Sequence, residues 1–107
     1  MPDFVEVASI EHVIPGTGAL VRVSATDVAL FNVNNRIFAM DDVCIRCAAS
    51  LAAGALHATL IRCAGCGWQF DVVTGCVDGV PALRAQTFDV RIENVAILVS
   101  STAKQLF

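Results

Sequence analysis

The sequence predicts an all-β domain with a cysteine-bearing insertion. Short runs of alternating or wholly apolar residues recur at close intervals with turn residues between them, the pattern of an antiparallel sandwich or barrel. The one Ala-rich stretch that helix propensity favours, residues 48–60, is interrupted by Gly54. Two Cys-x-x-Cys units set residues 41–81 apart from the strands on either side.

Taken in order, Phe4-Val5-Glu6-Val7-Ala8 alternates as a half-buried strand does, and Val13-Ile14-Pro15-Gly16-Thr17-Gly18 ends it in a turn. Ala19–Val23 reads as a second strand. Val28–Val33 and Arg36–Met40 flank Asn34-Asn35, a two-residue hairpin signal built from residues that tolerate positive φ. Inside the insertion, Thr59–Arg62 and Trp68–Asp71 are strand-like among Gly and Ala. Beyond Pro81, Thr87–Ile92 and Val95–Val99 form a closing pair joined at Glu93-Asn94.

With 107 residues the chain has room for one small domain, expected to span 1–107. A composition 56% hydrophobic and 16% charged excludes an intrinsically disordered segment. The formal net charge of −3 excludes a nucleic-acid surface, which needs clustered Lys and Arg. No apolar run is long enough to span a bilayer, and the opening residues lack the pattern of a signal peptide; a cytoplasmic monomer is expected. No nucleophile–base pair and no phosphate-cradling glycine loop stands out, so no catalytic residue is assigned.

The five cysteines carry the chemistry. In a cytoplasmic protein they are expected as thiols rather than a disulfide scaffold. Cys44-Ile45-Arg46-Cys47 and Cys63-Ala64-Gly65-Cys66 are separated by residues 48–62, which meets the roughly 15–20-residue spacing of tetrahedral metal sites. Two residues between cysteines let a tight turn aim both sulfurs at one point, and Gly67 permits the positive φ that completes the second turn. Cys44, Cys47, Cys63 and Cys66 are therefore the expected ligands of one metal or one small iron–sulfur cluster, against the plainer alternative of buried thiols or disulfides. Cys76 has no Cys-x-x-Cys partner and reads as a free thiol.

The residues around the second pair, Cys63-x-x-Cys66-Gly67-Trp68-Gln69-Phe70-Asp71 and then Thr74-Gly75, resemble the second cluster-binding loop of Rieske-type ferredoxins, Cys-Pro-x-His-Gly-Trp-x-Phe-Asp followed by Thr-Gly. Asp42-Val43-Cys44, with Ser50-Leu51 and Gly54-Ala55-Leu56 downstream, is similar to that family's first loop, and Gly79-Val80-Pro81 stands where the family carries a proline loop. The resemblance covers nearly the whole chain and implies a Rieske-type antiparallel β-sandwich or barrel with a small metal-binding subdomain, its loops at about 41–81. It implies a small electron-transfer protein working between a flavin-dependent ferredoxin reductase and a ring-hydroxylating oxygenase.

The ligand set departs from the family. A Rieske centre holds one iron by two cysteines and the other by two histidines. Here Arg46 stands where the first histidine belongs, and Arg cannot ligate iron because it stays protonated. Cys66 replaces the second histidine, and Cys47 is an added thiol one place beyond the first. Both loops thus resemble the Cys-x-x-Cys turns of rubredoxin. The cofactor expected is iron, either mononuclear or as [2Fe–2S], with the displaced Cys47 favouring one metal atom; Zn²⁺ in a redox-silent structural domain is the alternative. A disulfide-closed apo domain is the third reading.

His12 and His57 read as surface histidines, and Asp41, Asp42 and Asp71 as solvated acids. Arg46 reads as a solvated loop charge, and Trp68 as packing beneath the metal loops. Pro81 reads either as a shield on one side of those loops or as an ordinary turn proline.

Overall fold

A computed structural model describes residues 3–104. Among these residues there are twelve β-strands, two short 3₁₀ turns and no α-helix. The first turn, Ile10–His12, follows β1 (Phe4–Ser9) and is capped by the Ser9 hydroxyl, which accepts from the Glu11 N–H. Then come β2 (Gly18–Val23), β3 (Thr26–Val33) and β4 (Arg36–Asp41). Asn34 and Asn35 both have positive φ, 52° and 71°, as the tight β3–β4 hairpin requires.

The segment after β4 leaves the main sheets and builds its own. It contains the 3₁₀ turn Leu51–Ala53, then β5 (Ala55–His57), β6 (Leu60–Arg62), β7 (Gln69–Asp71), β8 (Cys76–Val77) and β9 (Val80–Arg84), paired in sequence order. The chain returns through β10 (Thr87–Phe88), β11 (Val90–Glu93) and β12 (Ala96–Ser100). The other two sheets run β10-β4-β3-β2 and β1-β12-β11, and their strands pair antiparallel throughout.

Strand β3 joins the two halves because it is buried on both faces. Its Val28 and Leu30 pack with Val13, Ile97 and Val99 in the core between the two main sheets. Ala29 and Phe31, pointing the other way, pack with Leu51, Ile61 and Phe70 of the insertion. The continuous apolar run Val28-Ala29-Leu30-Phe31 is what such a strand needs. Cys44 and Cys63 belong to this second core, so the cysteine loops grow out of packed structure.

Two expectations need correction. Thr87–Ile92 is not one strand: β10 pairs with β4 and β11 with β12, and the chain changes sheets at Asp89. The Ala-rich stretch forms no α-helix, as its interruption at Gly54 leads one to expect; it holds a short 3₁₀ turn and the strand β5, which pairs with β6. Regular structure resumes before Pro81, which lies within β9, the edge strand of its sheet, where a missing N–H is tolerated.

Candidate metal centre

Both cysteine loops share one backbone design. In the first, the Cys44 N–H donates to the Ala49 carbonyl at 2.9 Å and the Ala48 N–H donates back to the Cys44 carbonyl at 2.9 Å. In the second, the Cys63 N–H donates to the Trp68 carbonyl at 2.8 Å and the Gly67 N–H to the Cys63 carbonyl at 2.9 Å. The residue that closes each turn is left-handed, Ala48 with φ 65° and Gly67 with φ 80°. The family resemblance in the second loop thus extends to a near copy of its geometry in the first.

The loops face each other. Cys44 Sγ lies 3.8 Å from Cys66 Sγ and Cys47 Sγ 3.4 Å from Cys63 Sγ, and all four sulfurs lie within 4.8 Å of one another. A metal–sulfur bond of about 2.3 Å gives a tetrahedral edge of about 3.8 Å. The 3.8 Å and 3.4 Å separations are near that edge, and no sulfur pair exceeds 4.8 Å. In a [2Fe–2S] cluster bridging sulfides part the two irons, which holds the two thiolate pairs farther apart than one such edge. The residues present do not fit a Rieske cluster, which requires two histidine ligands. His12 and His57 are exposed, and neither joins the cysteine group.

The sulfurs already share charge unequally. At Cys47 the Ala49 N–H favours the thiolate, but the hydrogen bond with Cys63, slight desolvation and the sulfurs of Cys66 and Cys44 push the thiol up to about 12. At Cys63 burial acts upward, yet the N–H groups of Cys66 and Gly65, with the sulfurs of Cys47 and Cys44, bring it down to about 7. Backbone donors aimed at Cys63 stabilise negative charge there, as they would on a metal-bound thiolate.

Several supporting residues escaped the sequence reading. Asp42 is buried, not solvated: its carboxylate accepts from the Ser50 hydroxyl at 2.9 Å and the Ala52 N–H at 2.8 Å, closing the base of the first loop. Gly65 has no room for a side chain, since a Cβ there would stand 2.9 Å from Cys47 Sγ and 2.9 Å from the Ala49 Cβ. A Cβ on Gly54 would collide with the Arg62 carbonyl, so that glycine lets the loops approach β6. The Asp42…Ser50 pair carries no recognised spacing, and glycine contacts of this kind exist only after folding.

Trp68 packs against the insertion core, as expected. Arg46 is exposed but is more than a solvated charge: its guanidinium stacks 5.0 Å above the Trp68 ring, linking the two loops. Cys76 is a free thiol outside the four-cysteine group. Pro81 is exposed and lines a depression with Thr74, Cys76 and Asp78 that includes none of the four cysteines.

Comparison with known proteins agrees with this architecture. The Rieske [2Fe-2S] domain family matches residues 3–98. The ferredoxin component of the naphthalene 1,2-dioxygenase/salicylate 5-hydroxylase systems of Ralstonia sp. is 29% identical over 91% of this chain and 94% of its own. The biphenyl dioxygenase ferredoxin subunit of Pseudomonas sp. (strain KKS102) is 33% identical over 90% of each chain. Among solved structures, the ferredoxin of carbazole 1,9a-dioxygenase from Nocardioides aromaticivorans IC177 superposes with a TM-score of 0.84 at 28% identity, over 90% of this chain and 95% of that one. A chain of the complex of reduced oxygenase and oxidized ferredoxin in carbazole 1,9a-dioxygenase reaches 0.87 at 29% identity, covering 95% and 96%. With its sheets, its two loops and the span of these matches in agreement, the chain belongs to the Rieske [2Fe–2S] domain family, in a form in which four cysteines and no histidine cluster at the two loops.

Proposed function

We propose that this chain is a one-electron carrier in which Cys44, Cys47, Cys63 and Cys66 hold a single iron in a rubredoxin-like tetrahedral site on a Rieske fold. The observation that carries the reading is the convergence of four sulfurs within 4.8 Å, two of their separations, 3.8 and 3.4 Å, being near the edge of one metal tetrahedron. Four thiolates close the coordination shell, so substrate has no open position and the centre serves electron transfer rather than catalysis. Cys47 and Cys66 lie at the surface side of the pair of loops, which supports electron exchange by close approach.

Likeness to dioxygenase ferredoxin components supports the place of this carrier between a flavin-dependent reductase and a ring-hydroxylating oxygenase. No helix among the described residues is long and apolar enough to cross a membrane, and we place the protein in the cytoplasm as a single-domain monomer. The test is a redox titration of protein expressed with iron. Reversible one-electron bleaching of thiolate-to-iron absorption supports the reading; a colourless protein that takes up no electron removes it, leaving the structural zinc domain.

A further inference from the structure

Residues 43–70, which contain both cysteine loops, carry Arg46 and Arg62 and no acidic residue. The other five cations and all ten acids lie outside this stretch, so the remainder of the chain has a net charge of −5. Neither arginine takes part in an ion pair among the described residues, whereas Arg22, Arg91 and Lys104 do. Of the two acids that border the stretch, Asp42 is buried and occupied by Ser50 and Ala52, and Asp71 is half-buried and accepts from the Val73 N–H at 2.9 Å.

The two guanidiniums are placed on the metal end. Arg46 is held over Trp68, and Arg62 lies beside Gly67, its Nη2 3.7 Å from the point a side chain there would occupy. Arg62 is also the one charged group lining a depression of about 540 Å³ whose walls include Gly54, Ala55, Ala64, Cys66 and Gly67. Small side chains leave this rim open to a partner's side chains. Val43 and Ile45, both exposed, add an apolar edge beside Cys44.

We propose that this rim, anchored by Arg46 and Arg62, docks a carboxylate-rich surface of an electron-transfer partner; the proposal rests on the electron-carrier reading. Tetrathiolate iron adds at most two negative charges, which the two guanidiniums offset. The stretch that carries the two loops is thus close to neutral while the remainder of the chain carries −5, and this asymmetry turns the metal end toward an anionic surface. Partner carboxylates meet the guanidiniums at the rim, and the weakly apolar edge permits a small, transient contact.

Hexacyanochromate(III), a redox-inert trianion, tests the surface by paramagnetic broadening of amide signals in the zinc-loaded, diamagnetic protein. We expect broadening at Arg46, Arg62, Ala64 and Gly67 at least fivefold greater than around Arg36 or Lys104. In the Arg46→Gln/Arg62→Gln variant the preference disappears while zinc content is unchanged. A hexa-aspartate peptide is expected to displace the probe at concentrations where phosphate of equal ionic strength does not. Broadening centred elsewhere, insensitivity to the double substitution, or displacement by phosphate as efficient as by the peptide overturns the proposal. Oxidation of the reduced iron-loaded protein by ferricyanide reads the electron-carrier assignment separately, so each can fail without the other.

Discussion

At the residue scale, the site depends on side chains that are missing as much as on those present. Gly65→Ala places a methyl group 2.9 Å from Cys47 Sγ, so one ligand must move. The expected cost is about 1–3 kcal/mol, read as a lower melting temperature and weaker Co²⁺ binding; unchanged binding would mean that the first loop adapts freely. Ala48 pays the usual penalty for a left-handed Cβ at φ 65°. Ala48→Gly should therefore raise stability by up to about 1 kcal/mol in denaturant titration, the gain trimmed by glycine's greater unfolded-chain entropy. The meeting of Cys44, Cys47, Cys63 and Cys66 was legible in the sequence because Cys-x-x-Cys spacing is local. Asp42 was not, because its partners Ser50 and Ala52 come to it only when the first loop folds back. Removing that buried carboxylate in Asp42→Ala leaves the Ala52 N–H without its partner and should cost about 1–3 kcal/mol, measured by thermal unfolding of the metal-loaded protein.

At the element scale, the long strands of the main sheets and two short ones, β6 and β7, were readable, and the other short ones were not. β3 and β4 announce themselves by apolar runs around Asn34-Asn35, a signal contained within the hairpin. β5, β8 and β10, of two or three residues each, are strands only because neighbours supply their pairing partners. The change of sheet at Asp89 likewise leaves no mark in an alternating segment. This division has a dynamic consequence. The two main sheets enclose their own apolar core, while the cysteine loops are held by short strands and by the sulfur cluster. Stripping the metal should abolish hydrogen-exchange protection at the amides of Ala48, Cys63 and Gly67 while β3 and β12 remain protected. Loss of protection throughout would show that the fold as a whole requires the metal.

At the scale of the whole molecule, a Rieske frame carries a cluster of four cysteines with no histidine beside it. The fold was legible because the resemblance and the strand pattern run along nearly the whole chain; the sulfur-to-sulfur distances were not, because they are a tertiary property. Thiolates add negative charge where imidazoles are neutral, so the potential should fall below that of histidine-ligated Rieske centres. With no histidine among the clustered ligands, reduction has no ligand proton to take up. The midpoint potential should stay flat from pH 6 to 9, whereas a proton-coupled centre would shift by about 59 mV per pH unit.

The most direct measurement counts metal and acid-labile sulfide per chain in protein purified without added metal. A single tetrathiolate site predicts about one iron and no labile sulfide. About two irons with labile sulfide would contradict it and restore a binuclear cluster, and about one zinc would contradict the electron carrier while leaving the four-cysteine site in place.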